Sequence, residues 1–382
     1  MRRPRQPRRP RPETGAAMRL AASIFLFLPA ILAASAAADL PGVRNKGVDY
    51  VGLEEGAARL GLRLERSIPA TAVMLKSGAQ PVARLADHSR ETDIKGLRVF
   101  FGDPVIERGG RFYVSRTDFE LRLVPRLRPD LCGPPPKPPR VIAIDPGHGG
   151  MDNGTENPKL GTMEKTYTLA VCLRLKQLLA DAGYTVVLTR VSDVTVEKQF
   201  RSEIANQAGA DLMVSVHFNS LYPNTKTTGV ELLVFPPRAQ RSADSWSPGR
   251  KDDAQATDEP INANNVWNTV LAGPLHRRLV DALRDGDRGE KFEHLGALRG
   301  LKCPGVLVEP AFLSSDAEGA RLATPAYRDT IAAAILAGIQ DYAEILRGLS
   351  PAAAPAAPPA QAPGTAPAPA ARSQPTRPAA VP

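Results

Sequence analysis

RVIAIDPGHGG, residues 140–150, decides how the rest of the chain is read. Its first half is a short apolar run, and its second half is a turn of Pro and three Gly around one histidine. A run of that length ending on turn residues reads as a fully buried strand. TMEKTYTLAVCLRLKQLLADAG (162–183) follows with helical spacing of its apolar residues, Thr162 as the expected N-cap and Gly183 as the expected C-cap. The alternation then repeats. YTVVLTR (184–190), ADLMVSVHF (210–218), GVELLVF (229–235) and PGVLVE (304–309) read as strands. EKQFRSEIANQAG (197–209), NVWNTVLAGPLHRRLVDALRD (265–285) and TPAYRDTIAAAILAGIQDYAEIL (324–346) read as helices. The expected fold is therefore α/β, a mostly parallel sheet with helices on both faces.

Composition divides the remainder. Residues 1–38 hold seven arginines against one acid, Glu13, so they carry six of the nine positive charges and leave +3 on residues 39–382. The basic balance is thus no argument for nucleic acid as a partner. In that front segment a basic stretch precedes the apolar run LAASIFLFLPAILA (20–33) and the small residues ASAAA (34–38). This is the order of a cleavable signal peptide, with Met18 an alternative start, and it predicts export to the periplasm or cell surface. The run is shorter than the roughly 20 residues of a membrane span, so membrane attachment is expected only through an uncleaved signal. Cys132, Cys172 and Cys303 form no CxxC pair. Isolated buried thiols are expected, with one Cys172–Cys303 bridge as the alternative.

Residues 39–131 form a smaller α+β or β module. LEEGAARLGLRLE (53–65) reads as a helix, and ATAVMLK, PVARLA, GLRVFFG and RFYVS read as short strands. GLRVFFGDPVIERGGRFYVSRTDF (96–119) resembles the N-terminal domain type named for copper amine oxidases, which occurs on several cell-wall proteins. The module has no clear metal cluster, and His88 is expected at the surface. Residues 132–140 contain the Pro-rich linker GPPPKPP, the larger α/β domain spans 141–347, and the Ala/Pro-rich residues 348–382 are expected to be a disordered tail.

In a parallel sheet, ligands bind beyond the carboxyl ends of the strands. There the first strand runs into His148, the 210–218 strand ends near His217 and the 304–309 strand ends on Glu309. Glu164 opens the helix after the first strand and lies on the same rim. Two imidazoles and a carboxylate with one open position make a catalytic zinc set. A separate carboxylate, Glu309, is then available to move the water proton. Asp145 or a backbone carbonyl is expected to orient His148.

DPGHGG (145–150), GTMEK (161–165), SVHFNS (215–220) and VEPAFLSS (308–315), in this order, resemble the zinc-dependent N-acetylmuramoyl-L-alanine amidases. The resemblance implies His148, Glu164 and His217 as zinc ligands and Glu309 as the catalytic residue, and Glu164 depends on it most. It also implies cleavage of the amide between N-acetylmuramic acid and L-alanine in peptidoglycan. The alternatives are a zinc peptidase acting within stem peptides, or a wall-binding regulator without catalysis. An activator protein would be a further partner, of unknown nature. Pro310 departs from the family's VE-x-GF pattern and removes a backbone donor. Residues 236–261, where some relatives carry a helix that blocks the zinc, lack helical periodicity, so no blocking helix is expected. Among the remaining polar residues, His276 is expected to be solvated, and His294 is a candidate for the border of the groove. Asn219, Ser220 and Glu231 are candidates for site roles. Arg190 and Arg201 are either substrate-carboxylate binders or members of structural ion pairs.

Overall fold

A computed structural model describes residues 40–350. Residues 1–39 and 351–382 lie outside it, so the expected signal peptide and most of the expected tail fall outside the described residues. The last helix, Pro325–Leu349, runs two residues past the expected end of the larger domain.

The main sheet has eleven strands. Their order is Thr185–Leu188, Val141–Pro146, Leu212–Val216, Gly305–Glu309, Val230–Val234, Asp287–Phe292, Leu97–Phe100, Glu91–Ile94, Gln80–Ala86, Ala72–Ser77 and Arg63–Arg66. The first four are mutually parallel, and Val230–Val234 runs against Gly305–Glu309 but parallel to Asp287–Phe292. The mostly parallel arrangement thus holds among the strands of residues 141–309, while the sheet as a whole is mixed because the N-terminal strands continue it as an antiparallel meander.

Alternation along the strands explains how both faces are covered. Ile142, Ile144, Val214, Val306 and Val308 pack into one core with the Glu164–Asp181, Asn265–Leu283 and Pro325–Leu349 helices. Ala143, Met213 and Leu307 point to the other face, against Ala205 of the Lys198–Gln207 helix and the Leu298–Leu301 turn. Successive strand residues face opposite sides, so a run that is apolar throughout needs cover on both. All three cysteines are free thiols, as expected.

Two expectations need correction, and one strand was not foreseen. The 162–183 helix begins at Glu164, with Met163 rather than Thr162 at its cap position, because Thr162 and Met163 pair with Glu156 and Asn157 as a two-residue strand. Asp287–Phe292 (DRGEKF) is a strand that its charged sequence does not announce. It pairs side by side with Leu97–Phe100 of the N-terminal module, so strands of residues 39–131 and of residues 141–347 share one sheet. His276 is fully buried rather than solvated, with Nε2 2.7 Å from Asp287 Oδ1. Helical periodicity sets it on the inward face with Ala272 and Leu279, while its neighbours Arg277 and Arg278 turn outward to Lys95 and Asp341. Among the described residues no helix is long and apolar enough to cross a membrane.

Candidate metal centre and active site

Three parallel strands deliver three of the four residues to one edge. Val141–Pro146 leads into His148, Leu212–Val216 into His217, and Gly305–Glu309 ends on Glu309. Glu164, the first residue of its helix, closes the group. Its Oε1 lies 3.1 Å from His148 Nε2 and 2.9 Å from His217 Nδ1, and those two nitrogens are 3.1 Å apart. Among the described residues this is the one group of three or more His, Cys, Asp or Glu whose ligand atoms could hold a metal ion.

The surroundings aim these atoms. Glu164 is buried; Phe218 N–H donates to its Oε1 at 3.0 Å and Thr155 N–H to its Oε2 at 2.8 Å. Burial alone would raise its carboxyl, but hydrogen bonds and charge from the two imidazoles outweigh that and hold it well below the usual range. Burial alone would lower His148, yet Glu164 and Asp152 leave it with a net upward shift. Its Nδ1 donates to Asp152 Oδ2 at 2.8 Å, which leaves Nε2 facing the cluster. The orienting residue is therefore Asp152, not Asp145 or a backbone carbonyl. Asp145 is fully buried and takes Thr189 Oγ1, Ser215 Oγ and the Arg201 guanidinium at 2.5, 2.7 and 2.6 Å. The spacing His148-x-x-x-Asp152 across a Gly turn was the available signal for it.

His148 itself adopts a left-handed backbone, φ 60°, which a non-glycine residue holds only when its neighbours fix it. Arg201 donates to His148 O, and Arg190 donates to the carbonyls of Pro146, Gly147 and Lys165. Both arginines thus brace the histidine turn; Arg201 does so while paired with Asp145 and lining the cavity beside His148, whereas Arg190 bonds carbonyls and a hydroxyl rather than a carboxylate. Gly147 is required for a different reason, since a Cβ there would stand 2.4 Å from the His217 ring.

Glu309 lines a cavity of about 340 Å³ together with His148, His217, Arg201, Lys198 and His294. Its Oε2 is buried and finds no hydrogen-bond partner among the described residues. Burial, followed by the nearby Glu164 and Glu231 carboxylates, pushes its carboxyl well above the usual range. His294, one of the candidates, borders the groove. Asn219 donates to Glu231 Oε2 at 2.8 Å, and Glu231 pairs with Lys291, a residue the sequence reading did not single out. Residues 236–261 carry two short 3-10 turns, Asp244–Trp246 and Pro260–Asn264, and none of them lines this cavity, in agreement with the expected lack of a blocking helix.

The model of the N-acetylmuramoyl-L-alanine amidase family matches residues 142–341, the whole span that builds this rim. The chain belongs to that family. The amidase domain is accordingly a hydrolase, and peptidoglycan is the substrate of its class. An uncharacterized cell wall amidase of Bacillus anthracis is 32% identical over 212 residues, covering 54% of this chain and 36% of that one. The N-acetylmuramoyl-L-alanine amidase AmiA of Escherichia coli is 29% identical over 221 residues, covering 53% of this chain and 76% of that one. The chain thus spans about a third of the first relative and about three quarters of the second. The solved amidase AmiC2 of Nostoc punctiforme is 27% identical, covering 53% of this chain and 97% of that one, with a TM-score of 0.44.

Proposed function

We propose that this chain is an exported zinc amidase that hydrolyses the amide between N-acetylmuramic acid and the L-alanine of the stem peptide. The observation that carries the reading is the meeting of His148 Nε2, Glu164 Oε1 and His217 Nδ1 beside the unpartnered Glu309 carboxylate. The donor set fits zinc: two neutral nitrogens and one anionic oxygen, each held from behind by a fixed partner or strand end. Bound there, zinc supplies Lewis acidity and lowers the pKa of a water to about 7.

The protein's own residues do the rest. Glu309 accepts a proton from the attacking water as the new C–O bond forms, then gives it to the amide nitrogen as the C–N bond breaks. Its buried, unpartnered Oε2 is the atom suited to hold that proton between the two events. Asp152 keeps the His148 proton on Nδ1, and the Thr155 and Phe218 amides keep Glu164 from turning away. Export is supported by the basic, apolar, small-residue order of residues 1–38 and by the placement of peptidoglycan outside the cell membrane.

Mass analysis of sacculi digested by the zinc-loaded full chain tests the reading. Stem peptides with free L-alanine amino termini are expected. Cuts inside the peptide would instead make the chain a stem-peptide zinc peptidase, and zinc binding without release would make it a wall-binding protein. Asp152→Asn is expected to weaken zinc about 10- to 100-fold, the usual cost of losing such an orienting partner. Chelator competition followed by metal analysis measures it, and parental affinity would remove Asp152 from this role.

A further inference from the structure

Glu231 and Glu309 stand directly opposite each other where Val230–Val234 runs against Gly305–Glu309. Directly opposed side chains on an antiparallel pair share one face about 4.5–5.5 Å apart, and like charges there repel. The charge on Glu231 is not left free. Its Oε1 lies 2.5 Å from Lys291 Nζ, and its Oε2 accepts from Asn219. Both Glu231 and Lys291 are largely buried, with side-chain exposures of 10% and 18%. Lys291 stands on Asp287–Phe292, the strand bound to the N-terminal module, and its ammonium lies 5.4 Å from the centroid of the Phe100 ring of that module. Asn219 is tied to the loop after Glu309 through backbone bonds to Ala311 and Leu313.

We propose that Lys291 and Glu231 form a positioning pair for Glu309. Lys291 neutralises Glu231, so the Glu309 carboxylate is held over the cavity instead of being driven from its neighbour. The charged groups that face Glu309 are Glu164 and Glu231, and those that face Glu231 are Glu309, Glu293 and Lys291. Lys291 is the cation in that set. Glu309 lines the cavity and the pair does not, so the pair acts through Glu309. Phe100 makes the N-terminal module part of the support, since it walls the lysine that sets the catalytic carboxylate. The proposal rests on the reading of Glu309 as the proton carrier.

Steady-state kinetics of the zinc-loaded full chain on solubilised peptidoglycan test it. Lys291→Met is expected to lower kcat by about 10- to 100-fold, the range that a misplaced catalytic group costs, with KM and bound zinc at parental values. Lys291→Arg should restore most of the loss. Removing both charges, in Glu231→Gln with Lys291→Met, should return kcat toward the parent, because the lysine then has nothing to neutralise. If Lys291→Met does not fold, Glu231→Gln is compared with the double variant, and equal kcat is expected. Parental kcat in Lys291→Met, or a double variant as impaired as the single, overturns the proposal. A parent that releases no L-alanine-terminated peptide overturns the assigned activity instead.

Discussion

Glu309→Gln is expected to retain zinc and lose about 10²–10⁴-fold in turnover, the contribution of general acid–base catalysis. The amide has the same volume and can still fill the strand end, so the sheet register and the His148, Glu164 and His217 cluster should survive. What it lacks is a site for the travelling proton. The raised proton affinity of Glu309 comes first from burial and then from the carboxylates of Glu164 and Glu231. Such a group holds a proton readily enough to hand it to a leaving amine, and zinc loading supplies an opposing positive field. Release of L-alanine-terminated peptides gives the rate, and elemental analysis gives the metal content. A variant that digests sacculi at the parental rate with full zinc would sink the assignment of Glu309.

Glu290→Ala should cost about 3–5 kcal/mol of stability, the range for breaking a buried ion pair by removing one partner. Glu290 lies on Asp287–Phe292 and is fully buried, with Arg122 on one carboxylate oxygen and Arg126 on the other. Both arginines come from the N-terminal module, and the Arg122 guanidinium also stacks 3.6 Å from the centroid of the Phe292 ring. Burial pushes both guanidiniums down to about 9, so removing Glu290 leaves two desolvated cations facing each other. Replacing all three residues with apolar ones of similar volume should recover most of the loss, since the penalty belongs to the uncompensated charge. Urea unfolding of the full chain measures both effects. A Glu290→Ala midpoint equal to the parent would mean that the pair does not hold the module in place. The same contact predicts that residues 140–350 alone make a poor substitute for the full chain, because they would leave Glu290 without either arginine.

The two results bear on what was legible in the sequence. The apolar runs around Ile142, Val214 and Val306 carry the strand signal because buried parallel strands must be apolar on both faces. The strand-to-turn order then places His148, His217 and Glu309 on one rim without knowledge of any contact, and the family motifs supply Glu164. Asp287–Phe292 escaped because its polar side chains are satisfied by partners far away in sequence, Arg122, Arg126 and Glu231, so burial leaves no apolar alternation to read. His276 was misread for the same reason, with Asp287 as its hidden partner.

The sequence by itself therefore determined the α/β fold and the rim that His148, His217 and Glu309 share, because hydrophobic periodicity and strand-end topology are local properties of the chain; Glu164 came from the resemblance of its motif to the family. Only the tertiary structure decided that Asp152 rather than Asp145 orients His148, that Arg190 and Arg201 brace a strained turn, and that the N-terminal module shares the catalytic sheet. Those outcomes depend on which polar groups find one another after burial. Pairing of that kind is set by three-dimensional proximity and leaves no period in the sequence.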